Sequence, residues 1–246
     1  MKFKTLIIVT YGRSGSTLLQ GILNNIEDVI IKGENYNFYY PLFEAYKRLE
    51  KIKKTHGKGM VLKPENSWYG VHFYESGYFL DVVKKMAEHY ILGNDPGAGG
   101  IIENREKICY GFKEIRYYEA EDELDEYLSF LRKILPDLGV IFNTRNHEDT
   151  VKSWMRKRWA GFEKYKENEW FSNIRFFSRK RKAFKEIEES EKRMKRYYEK
   201  NKEHSFWIDY KNMCDNDSKV EELYQFIGFS YDKKSVDEVL KIKHSY

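Results

Sequence analysis

The feature that most constrains this fold is a short apolar strand followed directly by a glycine- and serine-rich turn and then by an apolar helix. Residues 4–10 contain a short apolar run at residues 6–9 and are rich in β-branched side chains, as in a strand buried on both faces. Residues 17–23 carry apolar side chains at helical spacing, and residues 29–31 read as a second short strand. This unit of strand, turn, helix and strand favours a parallel sheet with a right-handed crossover.

The rest of the chain continues the alternation of strands and helices. Further strands are predicted at residues 108–112, 140–142 and 205–208, and helices at residues 38–52, 79–92, 121–135, 149–158, 176–202, 220–227 and 235–242. The helix at residues 176–202 is highly charged and shows little apolar stripe. Residues 55–77 and 93–100 are predicted to be irregular. We therefore expect an α/β fold of three layers, with a central, mostly parallel β-sheet flanked by helices.

Length and composition limit the class of protein. A chain of 246 residues is long enough for one sizeable α/β domain, which we expect to span residues 1–246 with helical insertions at about 35–105 and 155–203. An aromatic content of 17% argues against disorder, and two cysteines argue against a disulfide scaffold. The first apolar run, residues 6–9, is too short for a signal peptide or a membrane span, so we expect a cytoplasmic protein.

The turn after the first strand has the chemistry of an anion site. We call it the phosphate turn, and it comprises Gly12, Arg13, Ser14, Gly15, Ser16 and Thr17. Its glycines let several backbone N–H groups point at one spot, and the following helix adds partial positive charge there. Three hydroxyls and the planar cation of Arg13 add further donors. These features predict a phosphate or sulfate site, whereas the alternative is an ordinary βα turn that uses glycine and serine for geometry.

The phosphate turn departs from the two common nucleotide-binding patterns. A Walker A loop needs Gly-x-x-x-x-Gly-Lys-Ser/Thr, and here no lysine precedes Ser16 or Thr17. The pattern Gly-x-Gly-x-x-Gly is not present either. A P-loop kinase or NTPase therefore remains only as an alternative function.

A second anion site is predicted at the end of the strand at residues 140–142. Arg145 follows that strand, and ligands of open α/β sheets bind at the carboxyl ends of the strands. Ser153 lies eight residues further on, within the first two turns of the next helix, which Asn146 or His147 can cap. Arg145 and Ser153 can thus meet on one anion. The alternative is a surface arginine and an unrelated serine on a helix face.

Together the two sites resemble two motifs of the sulfotransferases, which transfer sulfonate from 3′-phosphoadenosine 5′-phosphosulfate (PAPS). Residues 11–19 resemble the loop of that family that binds the 5′-phosphosulfate group. Residues 145–153 are similar to its 3′-phosphate motif, with an Arg, an Asp and a Ser at the same offsets. Many members carry proline two residues after the arginine, where this chain has His147. Because proline would only fix the turn, we expect binding to survive this departure.

The resemblance extends over most of the chain, although the sequence identity is low. Residues 32–34 fall where carbohydrate and protein-tyrosine members carry a Gly-Glu pair with the catalytic base. Residues 208–210 look like the late strand of the family, and residues 221–228 look like the helix and turn that follow it. The glycine-rich Arg-Lys-Gly segment of the cytosolic aryl and steroid members is absent, which favours the carbohydrate or bacterial type.

The resemblance implies a P-loop-like sulfotransferase fold, with PAPS as donor and 3′-phosphoadenosine 5′-phosphate (PAP) as product. The nucleotide would be bound by Gly12, Arg13, Ser14, Gly15, Ser16, Thr17, Arg145, Ser153 and, at the adenine, Tyr210. Glu34 would be the general base of an in-line displacement at sulfur, by analogy with phosphoryl transfer. Arg13 stands where other members carry lysine, and its role would be electrostatic because a guanidinium stays charged.

The acceptor is expected to be a carbohydrate or glycolipid hydroxyl, since residues 35–78 and 154–175 combine aromatic and polar side chains. The candidate acceptor-binding residues are Tyr36, Tyr39, Lys113 and Arg116. As alternatives, the tyrosines at residues 36–40 form the buried stripe of the next helix, and the two cations form salt bridges.

Other functional residues are weaker candidates. His56 or His72 is an alternative base, and a lone histidine is more often structural. No metal is expected, because the six His and two Cys show no ligand spacing. A polyanion-binding protein is a further alternative function, but a net charge of +5 with interspersed acids is too weak for that function without a basic face.

Overall fold

The computed structural model describes residues 1–56, 63–92, 108–159 and 169–242. The strands are β1 (Thr5–Val9), β2 (Val29–Lys32), β3 (Cys109–Glu114), β4 (Leu138–Thr144) and β5 (Ser205–Asp209). The helices are α1 (Ser16–Asn24), α2 (Tyr39–His56), α3 (Ser76–Leu92), α4 (Leu124–Ile134), α5 (His147–Trp159), α6 (Glu169–Lys200), α7 (Tyr210–Asp215), α8 (Asp217–Ile227) and α9 (Lys233–Lys241). Short 3₁₀ turns lie at Val71–Phe73, Tyr117–Glu123 and Lys202–His204. The predicted loop at residues 93–100 lies outside the described residues.

The five described strands form one parallel sheet in the order β2-β3-β1-β4-β5. β1 is central, and its residue Val9 pairs with Glu114 of β3 and Phe142 of β4. Because the strands are parallel, the residues that follow β1, β3 and β4 come together at one edge. The phosphate turn and Arg145 therefore share that edge.

Helices cover both faces of the sheet and give the predicted three layers. Alternate residues of β1 point to opposite faces, so Ile7 and Val9 belong to one buried cluster while Leu6 and Ile8 belong to the other. The first cluster includes residues of α2, α3, α4, α5 and α6, and the second includes residues of α1, α7, α8 and α9. The prediction of a mostly parallel α/β fold is confirmed.

Helix α6 differs from its prediction as a helix with little apolar stripe. It buries Ala183, Ile187, Met194 and Tyr197 in the first cluster. The sequence pattern did not reveal this stripe, because Lys, Arg and Glu fill every position between these residues except Phe184 and Ser190. The stripe is narrow but sufficient to hold α6 against the sheet.

Two helix boundaries also differ from the prediction. The helix predicted from residue 121 starts at Leu124, because Glu121 has a φ of 42° and interrupts regular helix. Its end is close to the prediction, since Leu135 is extended before Pro136, as a residue preceding proline tends to be. After β5 an additional short helix begins at Tyr210, so Tyr210 lies at a helix start rather than in the strand.

Across the described stretches, no helix is both long and apolar enough to cross a membrane.

Candidate functional site

The phosphate turn has a tight and partly strained backbone. Arg13 has a φ of 69° and Gly15 a φ of 88°, both in the left-handed region. For a residue with a side chain, this conformation costs about 1 kcal/mol, so Arg13 stores strain that the surrounding contacts sustain. The carbonyl of Gly15 accepts the first helical hydrogen bond, from Leu18 at 2.9 Å. The N–H groups of Ser16 and Thr17, which come before this first bond, therefore have no partner within the helix.

The serines of the turn do not all have the same role. The Thr10 hydroxyl lies 2.6 Å from both Ser14 Oγ and the carbonyl oxygen of Asn143. Ser14 is fully buried and its hydroxyl is bonded to Thr10, which in turn contacts β4, so this hydroxyl is not exposed to a ligand. This corrects the prediction for the Ser14 side chain, which was expected to donate to the anion.

The two predicted anion sites are in direct contact. The Nε–H of Arg13 donates to Ser153 Oγ at 2.9 Å, although the two residues are 140 positions apart in sequence. The Nη1 of Arg145 lies 3.4 Å from the carbonyl oxygen of Arg13. Asn146 caps α5 by accepting the N–H of Asp149 at 3.2 Å, which fixes the helix that carries Ser153.

The Arg145 guanidinium is held mainly by a ring. Its Cζ lies 4.4 Å from the centroid of Tyr210. Its Nε is buried and has no hydrogen-bond partner among the described residues. A buried charged donor without a partner is costly, so this atom fits a site that an anion completes.

Tyr210 also contacts the phosphate turn. A Cβ atom at Gly15 would overlap Cδ2 of the Tyr210 ring, so the ring packs directly on the glycine. Only glycine fits here, both for this contact and for its positive φ. Tyr210 thus touches Gly15 and Arg145, and its ring lies between the two anion sites.

Glu34 belongs to a second group, at the ends of β2 and β3. Its carboxylate pairs with Lys113 Nζ at 3.0 Å and with Arg116 Nη1 at 3.1 Å. The Glu34 side chain is 31% exposed, so it remains open to solvent. Lys113 and Arg116 were predicted to contact the acceptor, and in the structure their charges are engaged by carboxylates, as the salt-bridge alternative predicts.

Glu114 organises this second group and was missed by the sequence analysis. Its buried carboxylate accepts the N–H groups of Asn35, Asn37, Ile115 and Arg116 at 2.7–3.0 Å. It also pairs with Arg116 Nη1 at 2.8 Å. The only sequence signal was a charged residue at the end of a buried strand.

The pKa of Glu114 is set by two opposing effects. Burial by itself raises the pKa of the carboxyl group. The backbone N–H donors and Arg116 outweigh burial and lower the pKa below its usual value. Glu114 is therefore ionised and fastens the segment after Glu34 to the end of β3.

The two acceptor-binding tyrosines lie in different surroundings. Tyr36 is 81% exposed, and the Arg116 Cζ lies 4.2 Å from its ring centroid, beside Glu34. Tyr39 is fully buried and its ring centroid lies 5.3 Å from that of Phe112 in the core. The prediction that Tyr39 contacts the acceptor is therefore corrected, because the buried-stripe alternative describes this residue.

A cavity of about 590 Å³ opens beside the phosphate turn. Its wall combines aromatic, aliphatic and charged side chains from the end of β3, the 3₁₀ turn Tyr117–Glu123, α5 and α6. The lining includes Gly12, Ile115, Tyr118, Trp154, Ile187 and Arg193. Glu34 is not in its wall but pairs with Arg116, the residue after Ile115.

Of the two weaker candidates, the structure describes the side chain of His56. This last residue of α2 stacks on Trp68, with ring centroids 4.0 Å apart. The side chain of His72 lies outside the described residues. Among the residues described, no three His, Cys, Asp or Glu side chains come together as a metal site.

Comparisons of the sequence and of the fold with known proteins both give matches to sulfotransferases. The sequence profile of a sulfotransferase family matches residues 5–233. The fold is similar to that of a sulfotransferase domain from the curacin biosynthetic pathway (TM-score 0.52, 15% identity, 94% of this chain and 75% of that chain). It is also similar to a sulfotransferase from Alicyclobacillus acidocaldarius (TM-score 0.50, 15% identity, 95% of this chain and 88% of that chain). A sequence comparison with curated proteins found no match.

Proposed function

Since the chain belongs to the sulfotransferase family of enzymes, we propose that it transfers a sulfonate group from PAPS to a carbohydrate or glycolipid hydroxyl. The observation that carries the proposal is the contact between the two anion sites, through Arg13, Ser153 and Arg145. One nucleotide with a phosphosulfate at one end and a phosphate at the other matches two joined anion sites. We propose that residues 1–246 act as one sulfotransferase domain.

The residues at the sheet edge fit PAPS. The phosphate turn and the start of α1 would hold the 5′-phosphosulfate, since N–H groups at a helix start favour anions. Arg145 has an unpartnered buried Nε, and with Ser153 it would hold the 3′-phosphate. The Tyr210 ring, which packs on Gly15, would contact the adenine.

The reaction would use groups from both clusters. PAPS supplies the sulfonate, and PAP leaves. Arg13 and the N–H groups of the phosphate turn would stabilise negative charge at the sulfonate and at the leaving phosphate. Glu34 would accept the proton of the acceptor hydroxyl. Lys113 and Arg116 contact the Glu34 carboxylate and would hold it in position for this step.

The acceptor assignment rests on aromatic side chains near these groups. Tyr36 is exposed beside Glu34, and Tyr118 and Trp154 line the cavity next to Gly12. Flat rings of this kind suit the apolar faces of sugars, and the acidic and basic residues of the wall suit hydroxyls.

The test is a transfer screen with ³⁵S-labelled PAPS over glycans, glycolipids and tyrosine peptides. We expect label on a carbohydrate acceptor, and loss of label with Arg145→Ala. Label on tyrosine peptides alone would contradict the acceptor class. To test the nucleotide assignment separately, PAP and 5′-AMP binding to Arg145→Ala is measured by calorimetry. Selective loss of PAP affinity supports the assignment, and equal loss for both nucleotides refutes it.

A further inference from the structure

A single tyrosine hydroxyl connects the two anion sites. Tyr11 directly precedes the phosphate turn, and its side chain is buried. The hydroxyl accepts the backbone N–H of Arg145 at 3.0 Å. It donates to the carboxylate of Glu191 in α6 at 2.6 Å. The main chain at Arg145 is thus fastened to the residue just before the phosphate turn.

Glu191 also contacts the start of α5, close to the same site. Its other carboxylate oxygen lies 2.9 Å from Nε2 of His147, the first residue of α5. His147 stands two residues after Arg145. One carboxylate on α6 therefore holds both Tyr11 and the start of the helix that carries Ser153.

The Arg145 side chain has little else to set its direction. The described residues give it one contact of 3.4 Å with the Arg13 carbonyl and the face of Tyr210, while its Nε has no partner. The position of the guanidinium therefore depends on how firmly its own backbone is held. The Tyr11 hydroxyl holds this backbone through its hydrogen bond with the N–H of Arg145. Burial and the neighbouring Glu191 raise the pKa of Tyr11, so the hydroxyl keeps its proton.

We propose that Tyr11 and Glu191 are positioning residues for the 3′-phosphate, which act through the backbone of Arg145 and through His147. This inference rests on the proposed function, because it takes Arg145 as the 3′-phosphate ligand. It assigns to α6 a role in selecting 3′-phosphorylated nucleotides. Neither residue contacts the nucleotide in this account.

The inference predicts a selective loss of affinity. Tyr11→Phe keeps the ring and removes only the hydroxyl. Loss of one such hydrogen bond weakens PAP binding by about tenfold and changes 5′-AMP binding by less than about twofold. Glu191→Ala gives a similar loss, and Glu191→Gln, which still accepts a hydrogen bond, recovers part of it. Tyr224→Phe is the matched control, since Tyr224 is buried on the opposite face with an unpartnered hydroxyl.

The experiment is calorimetric titration of PAP and 5′-AMP into the full chain and the four variants, with thermal unfolding to check that each is folded. A lowered PAP to 5′-AMP affinity ratio in Tyr11→Phe and Glu191→Ala, with partial recovery in Glu191→Gln, supports the inference. If the wild-type protein prefers PAP but the PAP to 5′-AMP affinity ratio is unchanged in the variants, the inference is wrong and the proposed function still stands. A wild-type protein that binds both nucleotides equally overturns both.

Discussion

The Nε–H of Arg13 donates to the hydroxyl of Ser153, and this bond joins the phosphate turn to α5. Each residue belongs to one of the two anion sites, so the bond makes them parts of one site. The left-handed φ of Arg13 directs its side chain across the sheet edge toward α5. Nucleotide binding should therefore respond to changes on either side of this bond.

Replacement of Ser153 tests that relationship. Ser153→Ala removes the partner of Arg13 and one donor to the proposed 3′-phosphate. We expect PAP affinity to fall by about 10-fold, since a hydrogen bond to a charged group contributes about 1.5–3 kcal/mol at most. Calorimetry measures the change. Ser129→Ala, which removes a surface hydroxyl bonded to the Asp125 carbonyl, serves as control. Equal affinities in the two variants would refute the role of Ser153.

Replacement of Gly15 tests the packing of the Tyr210 ring on the phosphate turn. In Gly15→Ala the new methyl group overlaps the Tyr210 ring and the left-handed backbone is strained. We expect the ring to move, PAP affinity to fall by about 10-fold or more, and stability to fall by about 1–2 kcal/mol. Gly77→Ala is the control, because nothing lies within 4 Å of its new methyl group and its φ is not positive. PAP binding to Gly15→Ala at wild-type strength would show that the Tyr210 contact is dispensable.

Glu34 tests the proposed base. Glu34→Gln keeps the shape of the side chain but cannot accept the acceptor proton. We expect turnover to fall by about 10²–10⁴-fold with nucleotide affinity unchanged, because Glu34 does not touch the phosphate turn. Single-turnover transfer and PAP titration measure the two quantities. Glu126→Gln, an exposed carboxylate on α4, is the control. Full activity in Glu34→Gln would exclude Glu34 as base.

The lowered pKa of Glu114 predicts how the stability of the folded protein changes with pH. Its pKa is lowered in the folded protein, so its contribution to stability is fully present above the unfolded pKa, near 4.5, and is lost as pH falls through the lower folded pKa. Glu114→Gln removes this dependence and leaves buried N–H donors without their anion. We expect a loss of about 2–4 kcal/mol at neutral pH and a flatter stability profile below pH 4.5.

Urea unfolding at a series of pH values measures the Glu114 effect. Glu188→Gln is the control, since the pKa of Glu188 is also lowered, by Lys192, but the carboxylate is on the surface. Its loss of stability should be small. Parallel pH profiles for wild type and Glu114→Gln would show that Glu114 does not carry the acid dependence.

The sequence predicted the features that depend on local pattern. The strand, glycine turn and helix around Arg13, and the strand end at Arg145, are both contiguous in sequence, so spacing alone located them. The contact between Arg13 and Ser153 spans 140 positions, and the sequence did not predict it. Local pattern predicted the Ser14 hydroxyl as a donor to the anion, but it could not show that this hydroxyl is buried and bonded to Thr10.

The missed features depend on distant contacts. Tyr11 and Glu191 lie 180 positions apart, and Glu114 bonds to residues 77 and 79 positions away. In the sequence Glu191 looks like a surface glutamate, and Glu114 is marked only by its place at the end of a buried strand. Tyr36 and Tyr39 differ in burial although they are three residues apart, because α2 begins at Tyr39 and turns that ring into the core.

The most direct test of the account is thermal unfolding of the wild-type protein with PAP, compared with ATP and magnesium. The two joined anion sites predict a rise in Tm with PAP, equivalent to about 2.7 kcal/mol at a ligand concentration 100 times its Kd. ATP with magnesium should give a much smaller rise, because it has no 3′-phosphate for Arg145. No shift with PAP, or an equal shift with both ligands, would contradict the account.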